Sequence, residues 1–199
     1  MSRVIVIEFV TLDGVMQDPD GSEGFGRGGW AFRFGPEAVT GDPFRLGEVL
    51  DTGALLLGRR TWQMFSRIWP GREDDFSTKM NAIPKLVASR SLDQAGVWNN
   101  SAVLAGDLPD EVARRKRSQD LVVMGSASVA RALMEHDLVD EYRLRVFPFV
   151  LGSGTRLFPD GSAPADLRLV SVDTSGPAAL LVYTRPTAGN EEPGTRNQS

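Results

Sequence analysis

Three short, largely apolar runs, at residues 54–57, 84–88 (interrupted by Lys85) and 121–124, stop at Gly58, Ser89 and Gly125, and two of them pass straight into helix-periodic sequence. Runs of four or five apolar residues suit strands better than helices. Being apolar at consecutive rather than alternate positions, they fit strands covered on both faces, as in a parallel sheet between two layers of helices. The helical stretches fall where that arrangement needs them. Residues 59–68 place Trp62, Phe65 and Ile68 on one face, residues 108–117 open on Asp107 with Pro109 in the first turn, and residues 128–136 follow the third run.

Residues 4–10 form a further buried strand by the same criterion, followed by a glycine-dense loop over residues 13–36. A short helix is predicted over residues 42–50, with Asp42 as N-cap and Pro43 in its first turn. The last third changes character: strands are predicted at 141–149, 155–158, 167–172 and 179–183 with no helix between them. Alternating strands and helices followed by strands alone predict an α/β fold with a mixed, mostly parallel sheet and antiparallel C-terminal strands. Residues 1–185 are expected to form a single domain, and 186–199, which lack an apolar anchor, a disordered tail.

The chain has no cysteine and a single histidine, His136. Disulfides, thiolate metal sites, iron–sulfur clusters and cysteine nucleophiles are thereby excluded, as is any motif requiring two histidines. His136 falls at a predicted helix C-terminus, the place of a structural cap, and no metal site is expected. A net charge of −4 disfavours nucleic acid as a partner. The one basic cluster, Arg114 to Arg117, suits the C-terminal end of a helix. No apolar run approaches the ~20 residues of a membrane span, and the N-terminus enters a strand without a cleavage-type leader, so a cytoplasmic location is expected.

Residues 24–29 satisfy G-x-G-x-x-G, but more than a dozen residues separate them from the first strand, and the sequence after them is an aromatic loop. The dinucleotide fingerprint needs a direct strand-to-helix turn, so a loop over a site is the better reading. The turns at Gly58 and Gly125 have the required context. Helix N-termini expose unpaired N–H groups, small residues let a phosphate approach them, and ligands of parallel sheets bind beyond the carboxyl ends of the strands. Arg59 and Arg60 add bidentate donors, and Ser89-Arg90 repeats the pairing of hydroxyl and guanidinium. Each alone is compatible with an ordinary turn. Three at successive strand ends point to a phosphorylated nucleotide.

The segment from Leu55 to Trp62 resembles the strand–turn–helix of dihydrofolate reductases. The segments at residues 11–16, 121–144 and 148–154 are more similar still to the C-terminal reductase domain of bacterial riboflavin-biosynthesis proteins. The resemblance covers roughly residues 3–184. It implies a three-layer αβα fold of the dihydrofolate reductase type and an NADPH-dependent reductase, acting on a small molecule and assembling as a homodimer. It places Gly58, Arg59, Arg60 and Thr61 on the cofactor phosphates and Ser89 and Arg90 on the 2′-phosphate. Gly125, Ser126, Ala127, Ser128 and Val129 form the pyrophosphate turn, with a cis peptide at Gly125–Ser126. Phe9, Val10, Thr11 and Met16 border the nicotinamide. Hydride chemistry belongs to the cofactor, which accords with a chain so poor in reactive side chains.

The expected reaction is that of a 5-amino-6-(5-phosphoribosylamino)uracil reductase. Alternatives are a dihydrofolate reductase, a deazaflavin-dependent reductase and a dinucleotide-binding protein without turnover. A proton donor is needed at most, for which a carboxylate or a water would serve. The candidate carboxylates are Asp13, at the mouth of the site or in an ordinary turn, and Asp42, as pterin ligand or as cap. Arg145 would meet a substrate phosphate or carbonyl, unless it is a surface arginine on a sheet edge, and Arg156 is a second candidate for a phosphate. Trp30, Trp69 and Phe32 would stack on a flat heterocycle or pack in the core.

Overall fold

The computed structural model describes residues 2–186; residues 187–199, most of the predicted tail, lie outside them. The strands are β1 (Val4–Thr11), β2 (Ala54–Gly58), β3 (Lys85–Ala88), β4 (Ser101–Val103), β5 (Leu121–Val123), β6 (Glu141–Phe147), β7 (Arg168–Ser175) and β8 (Ala178–Thr184). They form one sheet in the order β4-β3-β2-β5-β1-β6-β8-β7. β1 to β6 run parallel where they pair, and β8 is antiparallel to both β6 and β7. The mostly parallel sheet with an antiparallel C-terminal extension is as predicted.

Period-two alternation sends neighbouring residues of each strand to opposite faces. Val4, Val6, Leu56, Leu121 and Val123 pack on one face with residues of α4 (Leu108–Arg115) and α5 (Ala127–Glu135). Ile5, Ile7, Leu55, Leu57 and Val122 pack on the other with α1 (Val49–Thr52), α2 (Arg59–Ile68) and α3 (Asp75–Ala82). This is the three-layer αβα arrangement. Among the described residues, no helix is long and apolar enough to cross a membrane.

Three local predictions need correction. The helix over 42–50 does not form: Arg45 and Gly47 have φ of 51° and 53°, the left-handed region that interrupts a helix, and only Val49–Thr52 is helical. The strand at 155–158 reduces to one bridge, between Val15 and Arg156. α3 and β4 were not predicted; α3 carries a recognisable cap, Asp74, whose carboxylate accepts from Ser77 N at 3.0 Å. His136 does end α5, its Nδ1 2.8 Å from Ala132 O.

Lys85 is fully buried in β3, its ammonium donating to Asn81 O at 2.6 Å and Asn99 O at 3.1 Å, 4.4 Å from the centre of the Trp98 ring. Burial pushes its pKa down from 10.5 to about 8. Between those two values the unfolded chain keeps a proton that the native chain has released, so this group makes stability rise with pH there. Urea melts of the parent protein at pH 7 and pH 10 should therefore differ, relative to Lys85→Met, by up to about 3 kcal/mol. Equal pH dependence in both proteins would refute the assignment.

Candidate active site

The carboxyl ends of β1, β2, β3 and β5 open into a cleft of about 770 Å³. It is lined by Gly58, Arg59, Arg60 and Thr61 from the β2–α2 turn, by Ser89, Arg90 and Ser91 after β3, and by Gly125 to Ser128 at the β5–α5 turn. The three phosphate-suited strand ends of the sequence thus share one site, as the parallel register requires.

The two helix-opening turns are pressed together. Gly58 N donates to Gly125 O at 3.1 Å. A Cβ on Gly58 would collide with the Ser126 hydroxyl, and one on Gly125, whose φ is 64°, would lie 2.8 Å from Thr61 Oγ1. Only glycine permits this approach. Neither Gly58 nor Ser126, the N-caps of α2 and α5, makes a side-chain cap bond, so the first-turn N–H groups of both helices lack that partner. The Gly125–Ser126 peptide is cis. Arg59 donates to Ser91 Oγ, Arg131 donates to Arg156 O at 2.7 Å, and the Ser89 hydroxyl accepts from Leu92 N at 3.1 Å. Uncapped helix N-termini, small residues and a ring of guanidinium groups fit a dinucleotide pyrophosphate.

Phe9 and Met16 also line the cleft, but Val10, Thr11 and Val129 do not. Val10 and Val129 belong to the core beneath the sheet, and the Thr11 hydroxyl donates to Asp13 Oδ1 at 2.6 Å. Asp13 does not line the cleft either: its two carboxylate oxygens accept from Leu151 N at 3.0 Å and Gly152 N at 2.8 Å, tying two loops together. The Thr11 hydroxyl, assisted by those N–H groups, holds its pKa down at about 2. An acid so firmly ionised is a clasp rather than a proton donor.

Asp42 stands in the turn that replaces the predicted helix. Its Oδ2 accepts from Gly47 N at 2.8 Å, and it faces a second cavity of about 740 Å³ that adjoins the cleft. It is therefore a cap, as one reading had it, but of a loop. Trp30 does not reach the cleft: it is fully buried, its Nε1 donating to Gln17 O at 2.9 Å and its ring edge-on to Phe147 at 5.4 Å. Arg145 is buried on β6 and donates to Pro43 O at 3.1 Å, and Arg156 Nε donates to Asp13 O at 3.1 Å. Phe32 and Trp69 do line the cleft.

Two residues that sequence reasoning passed over organise the site. Asp18, nearly fully buried, accepts from Glu23 N and Phe25 N, each at 2.9 Å, and its carbonyl accepts from Gly29 N, which folds the glycine-rich loop beside the cleft. Glu8, on β1, lines the cleft floor, where its Oε1 accepts from Gly125 N at 2.9 Å. Burial raises its pKa from 4.5 to about 8, against the lowering effect of the Gly125 N–H and with a small push from Glu23. Its signal was an acidic residue inside an otherwise apolar strand.

The sequence model of the RibD C-terminal domain family matches residues 2–181. The uncharacterized protein YyaP of Bacillus subtilis is 28% identical over 189 residues, covering 91% of this chain and 94% of its own length. The fold is similar to that of a riboflavin biosynthesis protein from Shewanella sp. PV-4, with a TM-score of 0.71, 20% identity and coverage of 93% of this chain and 99% of that one. It is also similar to a diaminohydroxyphosphoribosylaminopyrimidine deaminase/5-amino-6-(5-phosphoribosylamino)uracil reductase from Thermotoga maritima, with a TM-score of 0.57 and 18% identity. That match covers 93% of this chain but 57% of the Thermotoga protein. A match over nearly the whole described sheet, joined to the paired glycine turns, makes this chain a member of the RibD C-terminal domain family, with its dihydrofolate reductase-like fold.

Proposed function

We propose that this chain is an NADPH-dependent reductase that binds the cofactor across the β2–α2 and β5–α5 turns and reduces a small heterocyclic or sugar-derived molecule. The observation that carries the reading is the pair of uncapped helix N-termini, held in contact by Gly58 and Gly125 and flanked by Arg59, Arg60 and Arg90. The first-turn N–H groups bind the pyrophosphate, and Arg90 with Ser89 holds the 2′-phosphate. The bound nicotinamide supplies the hydride. Glu8 supplies the proton: Oε1 is engaged by Gly125 N–H, and Oε2 makes no hydrogen bond to protein among the described residues. The expected partner is a second copy of the chain, a reading supported by the exposed Leu169, Val170 and Val172 on the edge strand β7.

Titration with NADPH, NADH and a deazaflavin tests the cofactor. The parent protein should prefer NADPH, and Arg90→Ala should weaken NADPH by ~1–3 kcal/mol, the worth of a hydrogen bond to a charged group, with little effect on NADH. Arg59→Ala should weaken both nicotinamide cofactors. Failure of NADPH to bind refutes the assignment, and equal losses for NADPH and NADH in Arg90→Ala remove the 2′-phosphate contact.

A further inference from the structure

Gln17 lines the cleft directly after Met16, and it is held from both its backbone and its side chain. Its carbonyl accepts from Trp30 Nε1 at 2.9 Å. Its Oε1 accepts from Thr155 N at 3.0 Å and from the Thr155 hydroxyl at 3.4 Å. Thr155 O in turn accepts from Met16 N at 2.9 Å, so two consecutive residues of one loop are pinned to a single residue of another. That second loop is itself braced: Arg156 Nε donates to Asp13 O, and Arg156 O accepts from Arg131 of α5 at 2.7 Å. Gly154 packs against the same side-chain oxygen, where an added Cβ would come within 3.2 Å of it.

These contacts decide which way the amide faces. A backbone N–H can donate only to the oxygen of a carboxamide, so Oε1 belongs to Thr155 and the NH₂ group lies on the other side. Nε2 makes no hydrogen bond to protein among the described residues. Gln17 therefore offers two N–H donors in a fixed orientation, with its acceptor already engaged. Among the described cleft-lining residues of β1 and the glycine-rich loop, it alone has side-chain N–H donors. An uncharged donor of this kind suits a neutral carbonyl oxygen, whereas phosphates and carboxylates gain more from the guanidinium groups elsewhere in the cleft.

Resting on the cofactor assignment above, we propose that Gln17 reads the carboxamide of the nicotinamide, its NH₂ group donating to the carboxamide oxygen. The hydride-bearing ring has to lie near Glu8 on β1, where proton and hydride meet the substrate, and Gln17 stands on the loop that continues β1. Thr155 and Trp30 hold the donor in place beforehand, so little side-chain freedom is lost on binding.

The test pairs NADP⁺ with thionicotinamide NADP⁺, in which sulfur, a weaker acceptor, replaces the carboxamide oxygen. Calorimetry on the full chain should give a preference for NADP⁺ of about three- to tenfold, the worth of one neutral hydrogen bond. Gln17→Glu keeps the shape and the oxygen that Thr155 binds but loses the NH₂ group, and Gln17→Met loses both. Each variant should bind the two cofactors within about twofold of each other, as expected once that hydrogen bond is gone. 2′-Phosphoadenosine 5′-diphosphoribose, which lacks the nicotinamide, should bind parent and variants alike, because the phosphate-binding turns do not include Gln17. A parent protein without the preference overturns the proposal, as does a Gln17→Glu protein that retains it. Retention in Gln17→Glu with loss in Gln17→Met alone is the pattern of a residue that only braces Thr155. If neither NADP⁺ nor the diphosphoribose binds the parent, the cofactor assignment falls and this proposal with it; if both bind and the preference is missing, only the role of Gln17 falls.

Discussion

Trp30→Ala should destabilise the protein by about 3–5 kcal/mol, the range for deleting a large aromatic side chain from a core, with little change in substrate KM wherever the variant remains folded. Trp30 is fully buried in a cluster with Val15, Ala31, Ala38, Phe147, Leu151 and Ala178. It fastens the glycine-rich segment to β6 through Phe147, and its Nε1–H satisfies the carbonyl of Gln17. Truncation to alanine therefore removes packing and leaves a buried acceptor without its donor, two costs of independent origin. Trp30→Phe keeps most of the packing and should cost only about 1–3 kcal/mol through the lost hydrogen bond and the smaller ring. Urea denaturation monitored by circular dichroism separates the two variants. A Trp30→Ala protein of parental stability with a raised KM would restore the substrate-stacking role and remove the core role.

The contrast between Trp30 and Gly58 shows what a sequence of this kind makes legible. The β2–α2 and β5–α5 units are short, and their signals are local: a buried apolar run, a small residue, then apolar spacing of helical period. Parallel pairing of β2 with β3 and β5 then brings the turn residues of distant segments to one edge of the sheet, so three strand ends became one site. Trp30 carries no such local signal. Whether an aromatic side chain in a glycine-rich loop stacks on a ligand or fills a core depends on Phe147, more than a hundred positions away.

Asp42 illustrates a different limit. Asp-Pro is a fair helix start, but Arg45 and Gly47 adopt left-handed φ, and the carboxylate closes on Gly47 N instead. Arg145 on β6 is held by carbonyls of the loop before α1, a tertiary contact beyond the reach of any pattern along the chain. β4, Ser101-Ala102-Val103 at the sheet edge, lacks the apolar run that marks the equally short β5. Glu8 is the instructive case, since its signal was present. A carboxylate inside an apolar strand breaks the agreement between local pattern and burial, and such breaks concentrate at functional sites.

Glu8→Gln should lower kcat by about 10²–10³-fold, within the usual contribution of a positioned general acid, with little change in the Kd for NADPH. The parent pH–rate profile should fall as pH rises through about 8, because the carboxyl must be protonated to donate and burial holds its proton to about that pH. Glutamine has no proton to lose, so the variant should lack that limb. The same group imposes a signature on folding. The unfolded chain releases this proton near 4.5 and the native chain near 8, so between those values the native state holds the extra proton and stability falls as pH rises. The Glu8 contribution is fully present below about 4.5 and gone above about 8, and Glu8→Gln should flatten the dependence across that window. A role confined to positioning the Gly125 turn predicts a different pattern: weaker NADPH binding, kcat near the parent value, and a retained alkaline limb. Stopped-flow turnover and calorimetric NADPH titrations at pH 6 to 9 distinguish these outcomes. A parental kcat in Glu8→Gln would remove Glu8 as the proton donor while leaving the phosphate-binding turns, which rest on Gly58, Gly125 and the arginines, untouched.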